Sequence, residues 1–428
     1  MKSKMSKQET NTIFQEKRES SSSIRNYHET SDMRPRVLFL NVIDQKKAVQ
    51  KMYYPLAFGY LVSYAQKHGH MFPYSYSEAL DKDTLCKFNP HVVAMTSITE
   101  NYPLAIRYAQ LIKETNPRVK VVIGGVHISA VPQSLSPSMD VGVVGEGEQT
   151  FSELSAQDFE PDDSIDGIVY HHPDGTLHET KRRSLIEPLD SLPHPDRSIF
   201  PMGTEFRPQY VFTSRGCSYR CKFCSSSRFW QKVRFHSPEY VAQELEDLRN
   251  VGIQDINIYD DLFIMDLERV KRIRDLVKPL GLRYSVAARA NLVTEEVAAV
   301  LKDMNVTNVG IGFESNSQRI LDLLGKGNKV EDNQRAINII RKYGIHVTGS
   351  FIRDVPSETR TDIRKTYQFI KRNRLAHDMY RLMRFPNTPL YEGSTDWSKC
   401  EVKTCLPLTM RLRRMVSPYY HKIIKINP

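Results

Sequence analysis

A chain of 428 residues has room for two domains, and 40% hydrophobic with 26% charged residues is the balance of an ordinary globular protein. Six cysteines in that length do not make a disulfide scaffold. The net charge of +10 excludes a diffuse nucleic-acid-binding surface, because residues 361–428 alone hold 14 Lys and Arg against 5 Asp and Glu and leave the rest near balance. That basic end reads either as a solvated face or as a patch that attracts an anionic substrate or an electron donor.

Residues 1–33 are polar, contain the run Ser20-Ser21-Ser22-Ser23, and read as a disordered tail. They lack the apolar core of a signal peptide, and no later segment reaches membrane-spanning length, so a cytoplasmic protein without a membrane span is expected. From Val37-Leu38-Phe39-Leu40 onward, short apolar runs alternate with helical periodicity: a helix over 55–68 stopped by Gly69, a strand at Val92 to Met95, a helix over 104–114, and strands at 119–123 and 141–144. Strands alternating with helices predict an α/β, doubly wound, Rossmann-like domain over residues 34–185. Its binding crevice belongs at the carboxyl ends of the strands. Three loops fall there. Ser97 and Thr99 offer hydroxyls, Gly124, Gly125 and Gly145 allow close approach of backbone to a ligand, and Glu146 offers a carboxylate. On these residues alone, a generic nucleotide or phosphate site reads the same.

Residues 186–205 are Pro-rich and acidic and predict an extended linker. Strand and helix alternation resumes in residues 206–385, with about six repeats, which predicts a partial (β/α)6 TIM-like barrel. Residues 386–428 form a short basic extension whose Cys400 and Cys405 read as free thiols. After the first barrel strand come Cys217, Cys221 and Cys224, spaced C-x3-C-x2-C. Three thiolates on one loop can hold a 4Fe-4S cluster by three irons, and the missing fourth ligand leaves one iron open. The competing reading is zinc with His236 as fourth ligand, but no second pair stands at a matching distance. Asp260, Asp261, Arg289, Glu314, Ser315 and Ser350 recur at strand ends, the rim where a barrel keeps its chemistry. Each is either a ligand contact or a satisfied polar group.

The run Arg-Gly-Cys-x3-Cys-x2-Cys, with Phe223 before the last cysteine, resembles the radical SAM superfamily. The resemblance implies that S-adenosylmethionine chelates the open iron and is cleaved to a 5'-deoxyadenosyl radical. It places Phe223 near the adenine, and Asp260, Arg289, Glu314 and Ser350 around S-adenosylmethionine. Asp260-Asp-x-Phe263, Arg289-Ala-Asn-Leu, Gly310-Ile-Gly-Phe-Glu-Ser315, Arg319-Ile-Leu and Lys326-Gly327 are similar to the cobalamin type of that superfamily. So are Pro55 to Leu61, Gly69-His70, Gly124-Gly125-Val126-His127 and Gly145-Glu146-Gly147-Glu148, which resemble its cobalamin-binding domain. Ser97, Thr99, Gly124, Gly125, Gly145 and Glu146 are thereby implied as cobalamin contacts.

Two departures stand out. Many cobalamin domains carry Asp-x-His-x-x-Gly after the first strand, whereas here Asn41 to Lys47 contains no His, which implies cobalamin in a His-off form. The family's Gly-x-Pro-Gly-Glu-Thr is replaced by Asp354-Val-Pro-Ser357-Glu-Thr. The implied activity is methylation of an unactivated carbon through the deoxyadenosyl radical and methylcobalamin. Oxidative cyclisation or rearrangement shares the same skeleton, and a non-catalytic cobalamin-binding accessory or sensor protein is a third reading. The implied partners are a small-molecule or peptide substrate, anionic if the basic end contributes, and an electron donor such as flavodoxin or ferredoxin.

Overall fold

The computed structural model describes residues 34–201 and 209–391. The tail 1–33, part of the linker, most of the basic extension, and Cys400 and Cys405 lie outside the described residues. No helix among the described residues is long and apolar enough to cross a membrane.

The first sheet is built from β1 (Val37–Asn41), β2 (Tyr74–Ser77), β3 (Val92–Thr96), β4 (Lys120–Gly124), β5 (Val141–Val143), β6 (Ile168–His171) and β7 (Leu177–Glu179). Its order is β2-β1-β3-β4-β5-β6-β7, with the first five strands parallel and β6 and β7 antiparallel. Helices α1 (Leu56–Lys67), α2 (Lys82–Phe88), α3 (Tyr102–Thr115), α4 (Val126–Ala130) and α5 (Glu148–Ala156) lie between the strands in sequence. Successive strand side chains point to opposite faces. Val37 and Phe39 therefore pack with Leu56, Phe58 and Phe151, while Leu38 and Leu40 pack with Tyr102, Ala105 and Ile112. Both faces are covered, which is why β1 reads as a continuous apolar run. The half-buried edge strand β2 reads Tyr-Ser-Tyr-Ser and gives no such run.

The second sheet holds β8 (Gln209–Val211), and after it a short antiparallel ribbon, β9 (Ser214–Arg215) with β10 (Arg234–Phe235), brackets the cysteine loop and the single-turn helix α6 (Ser226–Phe229). The sheet continues with β11 (Asp255–Ile258), β12 (Arg283–Ala288), β13 (Val306–Glu314), β14 (His346–Arg353) and β15 (Ala376–Arg381), all parallel. Its order runs from β8 through β11 to β15 without closing, so this is a six-stranded partial barrel. The helices between them are α7 (Pro238–Asn250), α8 (Leu267–Val277), α9 (Glu295–Asp303), α10 (Gln318–Leu323), α11 (Val330–Lys342) and α12 (Arg360–Arg372). Ser237, Asp266, Thr294 and Thr359 each accept a backbone N–H at a helix start, which sets where α7, α8, α9 and α12 begin.

Residues 186–201 run as a packed strap. Leu189, Leu192, Ile199 and Phe200 are buried, Asp196 N–H donates to Gly59 O (3.1 Å), and Arg197 donates to Tyr210 O (2.8 Å) and Glu244 (2.6 Å).

In the loop after β14, Asp354 and Ser357 both have φ of +62°, the left-handed region that favours glycine. These are the two positions where the related motif has glycine, so the loop keeps the glycine conformation with other side chains. A left-handed non-glycine residue costs about 1–2 kcal/mol. Ser357→Gly is expected to stabilise the protein by about 1 kcal/mol, less whatever the Arg319 bond to its Oγ contributes; a lowered thermal midpoint would contradict this.

Candidate active site

The carboxyl ends of the barrel strands surround a cavity of about 460 Å³. Cys217, Cys221, Cys224, Phe223, Asp260, Arg289, Glu314 and Ser350 all line it. Gly216, with φ of +102°, turns the chain sharply from β9 into Cys217, and a Cβ there would fall 2.6 Å from Lys232 O. Arg228 then donates to the carbonyls of Cys221 (3.5 Å) and Cys224 (3.2 Å), fixing the far side of the loop. Burial pushes the Cys217 and Cys224 thiols up, so thiolates there call for a cationic partner. No three His, Cys, Asp or Glu side chains among the described residues are grouped to hold a single ion. A cluster's cysteines instead bind separate irons. His236 is stacked on Tyr240 (3.9 Å) with Nδ1 3.1 Å from Asp190, and it does not line the cavity.

Arg289 lies 3.7 Å from the Tyr219 ring centroid, donates to Asn291 (2.9 Å), and approaches Cys221 Sγ (3.5 Å). Its Nη2 is buried without a partner. An orphaned guanidinium nitrogen on the arginine that touches the Cys221 thiol fits an anionic group of a ligand in this cavity. A bulge between Gly312 and Glu314, where Glu314 has φ of +60°, turns the Glu314 side chain back over Gly312. Its carboxylate pairs with Lys326 at 2.9 Å, and both are buried.

Asp260 has a different position from the rest of the rim. Oδ1 accepts from the amides of Thr213 (2.6 Å) and Ser214 (3.1 Å), and Oδ2 from their hydroxyls (2.5 and 2.7 Å). Burial pushes its pKa up against these four donors. The carboxylate thus holds the step from β8 to β9, immediately before the cysteine loop.

Ser97, Thr99, Gly124, Gly125, Gly145 and Glu146 stand at the carboxyl ends of β3, β4 and β5, apart from the barrel cavity. Ser97 Oγ is buried without a partner. Gly125 has φ of +102°, and a Cβ on it would meet Ser97 O at 2.8 Å. Ile98 and Val126, on the same loops, are exposed apolar side chains. An orphaned hydroxyl and exposed apolar groups at a strand-end crevice fit a large, partly apolar cofactor. His127 is stacked on Tyr102 (3.9 Å) with Nε2 3.1 Å from Ser134 Oγ, and burial lowers its pKa to about 4.

Glu146 is fully engaged elsewhere. It pairs with Arg215, bonds Arg234 (2.7 Å), and accepts the Ile186 amide (2.9 Å). Glu148 bonds Arg215 at 2.5 Å. Burial works against the Glu146 charge, but these partners outweigh it and hold its pKa below the ordinary range. Sequence reasoning found both motifs, Arg-Gly-Cys and Gly-Glu-Gly-Glu, and missed that they meet. It also missed Tyr53, which reaches from the first domain into the barrel cavity and accepts from Asn257 at 3.2 Å. Only the Tyr53-Tyr54 doublet could have drawn attention to it.

Comparison with known proteins adds family context. Residues 211–370 match the radical SAM superfamily and residues 49–155 match the B12 binding domain. The chain is 32% identical over 363 residues to an uncharacterized methyltransferase of Pyrococcus horikoshii, covering 79% of this chain and 78% of that one. It is 30% identical to an anaerobic magnesium-protoporphyrin IX monomethyl ester cyclase of Rubrivivax gelatinosus, over 69% of this chain and 56% of the length of that cyclase. The radical S-adenosylmethionine methyltransferase TsrM of Kitasatospora setae, solved with cobalamin and a [4Fe-4S] cluster, shares the fold, with a TM-score of 0.68 at 19% identity over 84% of this chain and 74% of that one.

Asp260→Asn places an amide donor against two hydroxyls that already donate. We expect a loss of roughly 1–3 kcal/mol and less iron held per chain after anaerobic reconstitution. Wild-type iron content and thermal midpoint would show that Asp260 does not hold the loop.

Proposed function

The chain belongs to the radical SAM superfamily, with a B12-binding domain ahead of its core, and from that premise we propose that it is a cobalamin-dependent enzyme that methylates an unactivated carbon. The observation that carries the reading is the convergence in one cavity of three cysteines, an arginine with an orphaned nitrogen, and a tyrosine from the neighbouring domain. When bound, the cluster supplies the electron that splits S-adenosylmethionine to a 5'-deoxyadenosyl radical, and methylcobalamin supplies the methyl group.

The chain's own residues divide the remaining work. Cys217, Cys221 and Cys224 would hold the cluster by three of its irons, and no fourth cysteine lines the cavity among the described residues. Arg289 offers its buried Nη2 to the carboxylate of S-adenosylmethionine. Phe223, Ser350 and the Glu314–Lys326 pair line the space for the nucleoside. Asp260, with its carboxylate taken by four donors, acts as a positioning residue and not as a contact. Ser97, Thr99, Gly124, Gly125 and Gly145 form the cobalamin crevice, from which Glu146 is withdrawn by its arginines. The stretch Val42 to Tyr53 carries no histidine, which supports His-off cobalamin. Tyr53, its hydroxyl held by Asn257, enters the barrel cavity from the first domain and orients what binds there. The electron comes from a flavodoxin or ferredoxin type of carrier, and the substrate is a small molecule. Cyclisation is the second reading, favoured by the similarity to the Rubrivivax cyclase.

Anaerobic protein reconstituted with iron, sulfide and cobalamin, then given S-adenosylmethionine and a reductant, is expected to release 5'-deoxyadenosine. Cys221→Ala is expected to abolish that release while cobalamin absorbance is kept. Wild-type protein that holds cobalamin and a cluster yet releases none would overturn the enzyme reading in favour of a sensor. With methyl-labelled S-adenosylmethionine, a product that gains the label supports methylation, and an unlabelled product two hydrogens lighter supports cyclisation.

A further inference from the structure

Arg215 and Arg234 stand directly opposite each other on the antiparallel β9–β10 ribbon. Like charges in that register repel. Within the ribbon, nothing neutralises them: Trp230 stacks beneath both, with guanidinium carbons 5.3 Å and 5.9 Å from its ring centroid. The neutralising groups come from the other domain. Glu146 takes both arginines, one on each carboxylate oxygen, and Glu148 takes the second nitrogen of Arg215. All four side chains are at least nine-tenths buried, and Tyr60 of α1 closes the other face of Arg215 at 5.4 Å.

The placement of this cluster is specific. Glu146 lies on the loop after β5 that also carries Gly145 of the crevice, and Glu148 opens α5. Arg215 is separated from Cys217 only by Gly216, which packs so closely on the ribbon's return that a Cβ there would fall 2.6 Å from Lys232 O. A shift of Arg215 is therefore a shift of the cysteine loop. We propose that Arg215 is a positioning residue whose fork to Glu146 and Glu148 sets the cysteine loop against the strand ends of the first domain, so that the two cofactor sites hold a fixed separation. Its consequence for chemistry rests on the two-cofactor reading above.

The test uses Arg215→Lys, which keeps the charge and loses the fork, with Glu148→Gln as the gentler variant should the first fail to fold. In cofactor-free protein, amide hydrogen exchange in residues 216–224 is expected to rise about tenfold, while β12 and β13 keep wild-type protection. Exchange that is unchanged in the loop, or that rises equally throughout the chain, would overturn the proposal. In protein loaded with cluster and cobalamin, the relaxation of the cob(II)alamin electron-spin signal by the reduced cluster is expected to change in the variant. An unchanged signal would overturn the fixed-separation claim. If wild-type protein holds no cobalamin, the functional reading fails while the exchange measurement still decides the role of Arg215.

Discussion

Two arginines face each other across a two-residue ribbon, and one glutamate from another domain makes that arrangement tolerable. Breaking such a buried pair from one side leaves an uncompensated charge and costs several kcal/mol, on the order of 3–5. The ribbon bears the cysteine loop, so the proposed radical-generating site is built with a part of the first domain. This explains why the two domains, each with its own core, are not beads on a string. The strap at residues 186–201 adds to the same seam through Asp190, Asp196 and Arg197.

The second constraint is local. Asp260 gathers two amides and two hydroxyls at the end of β8, and Gly216 turns the chain at once into the cysteines. On the opposite rim, a bulge and a left-handed Glu314 aim a carboxylate at Lys326. The left-handed Glu314 stores backbone strain beside a cavity, where functional sites concentrate it. Arg289 is the group left incomplete, which is what a ligand site requires before its ligand arrives.

Much of the fold was legible because parallel strands covered on both faces must be apolar, as β1, β3 and β4 are apart from one polar end residue each. The strands that escaped notice lack that signature. β2 is an edge of tyrosine and serine, β15 reads Ala-His-Asp-Met-Tyr-Arg and β7 is the exposed edge Leu-His-Glu, while β6 is the exception, a short buried run of Ile-Val-Tyr. The eight barrel-site residues are gathered in one cavity because each lies in the carboxyl half of a strand or just after it, and strands of one sheet end on one rim. What periodicity cannot give is the partner of a charge. Sequence spacing presents Glu146 and Asp260 as candidate cofactor contacts and says nothing about the donors that claim their carboxylates, which are Arg215 and Arg234 for the one and Thr213 and Ser214 for the other. Tyr53 was hidden for the same reason: its role depends on where the other domain lies.

The account rests on an iron left open by three cysteines and facing Arg289. Electron–nuclear double resonance on the reduced cluster, with S-adenosylmethionine labelled at its amino nitrogen and carboxylate oxygen, tests this most directly. Hyperfine coupling from both labels to the cluster is the predicted result. A fully loaded, reduced cluster that shows no coupling to either label would contradict it.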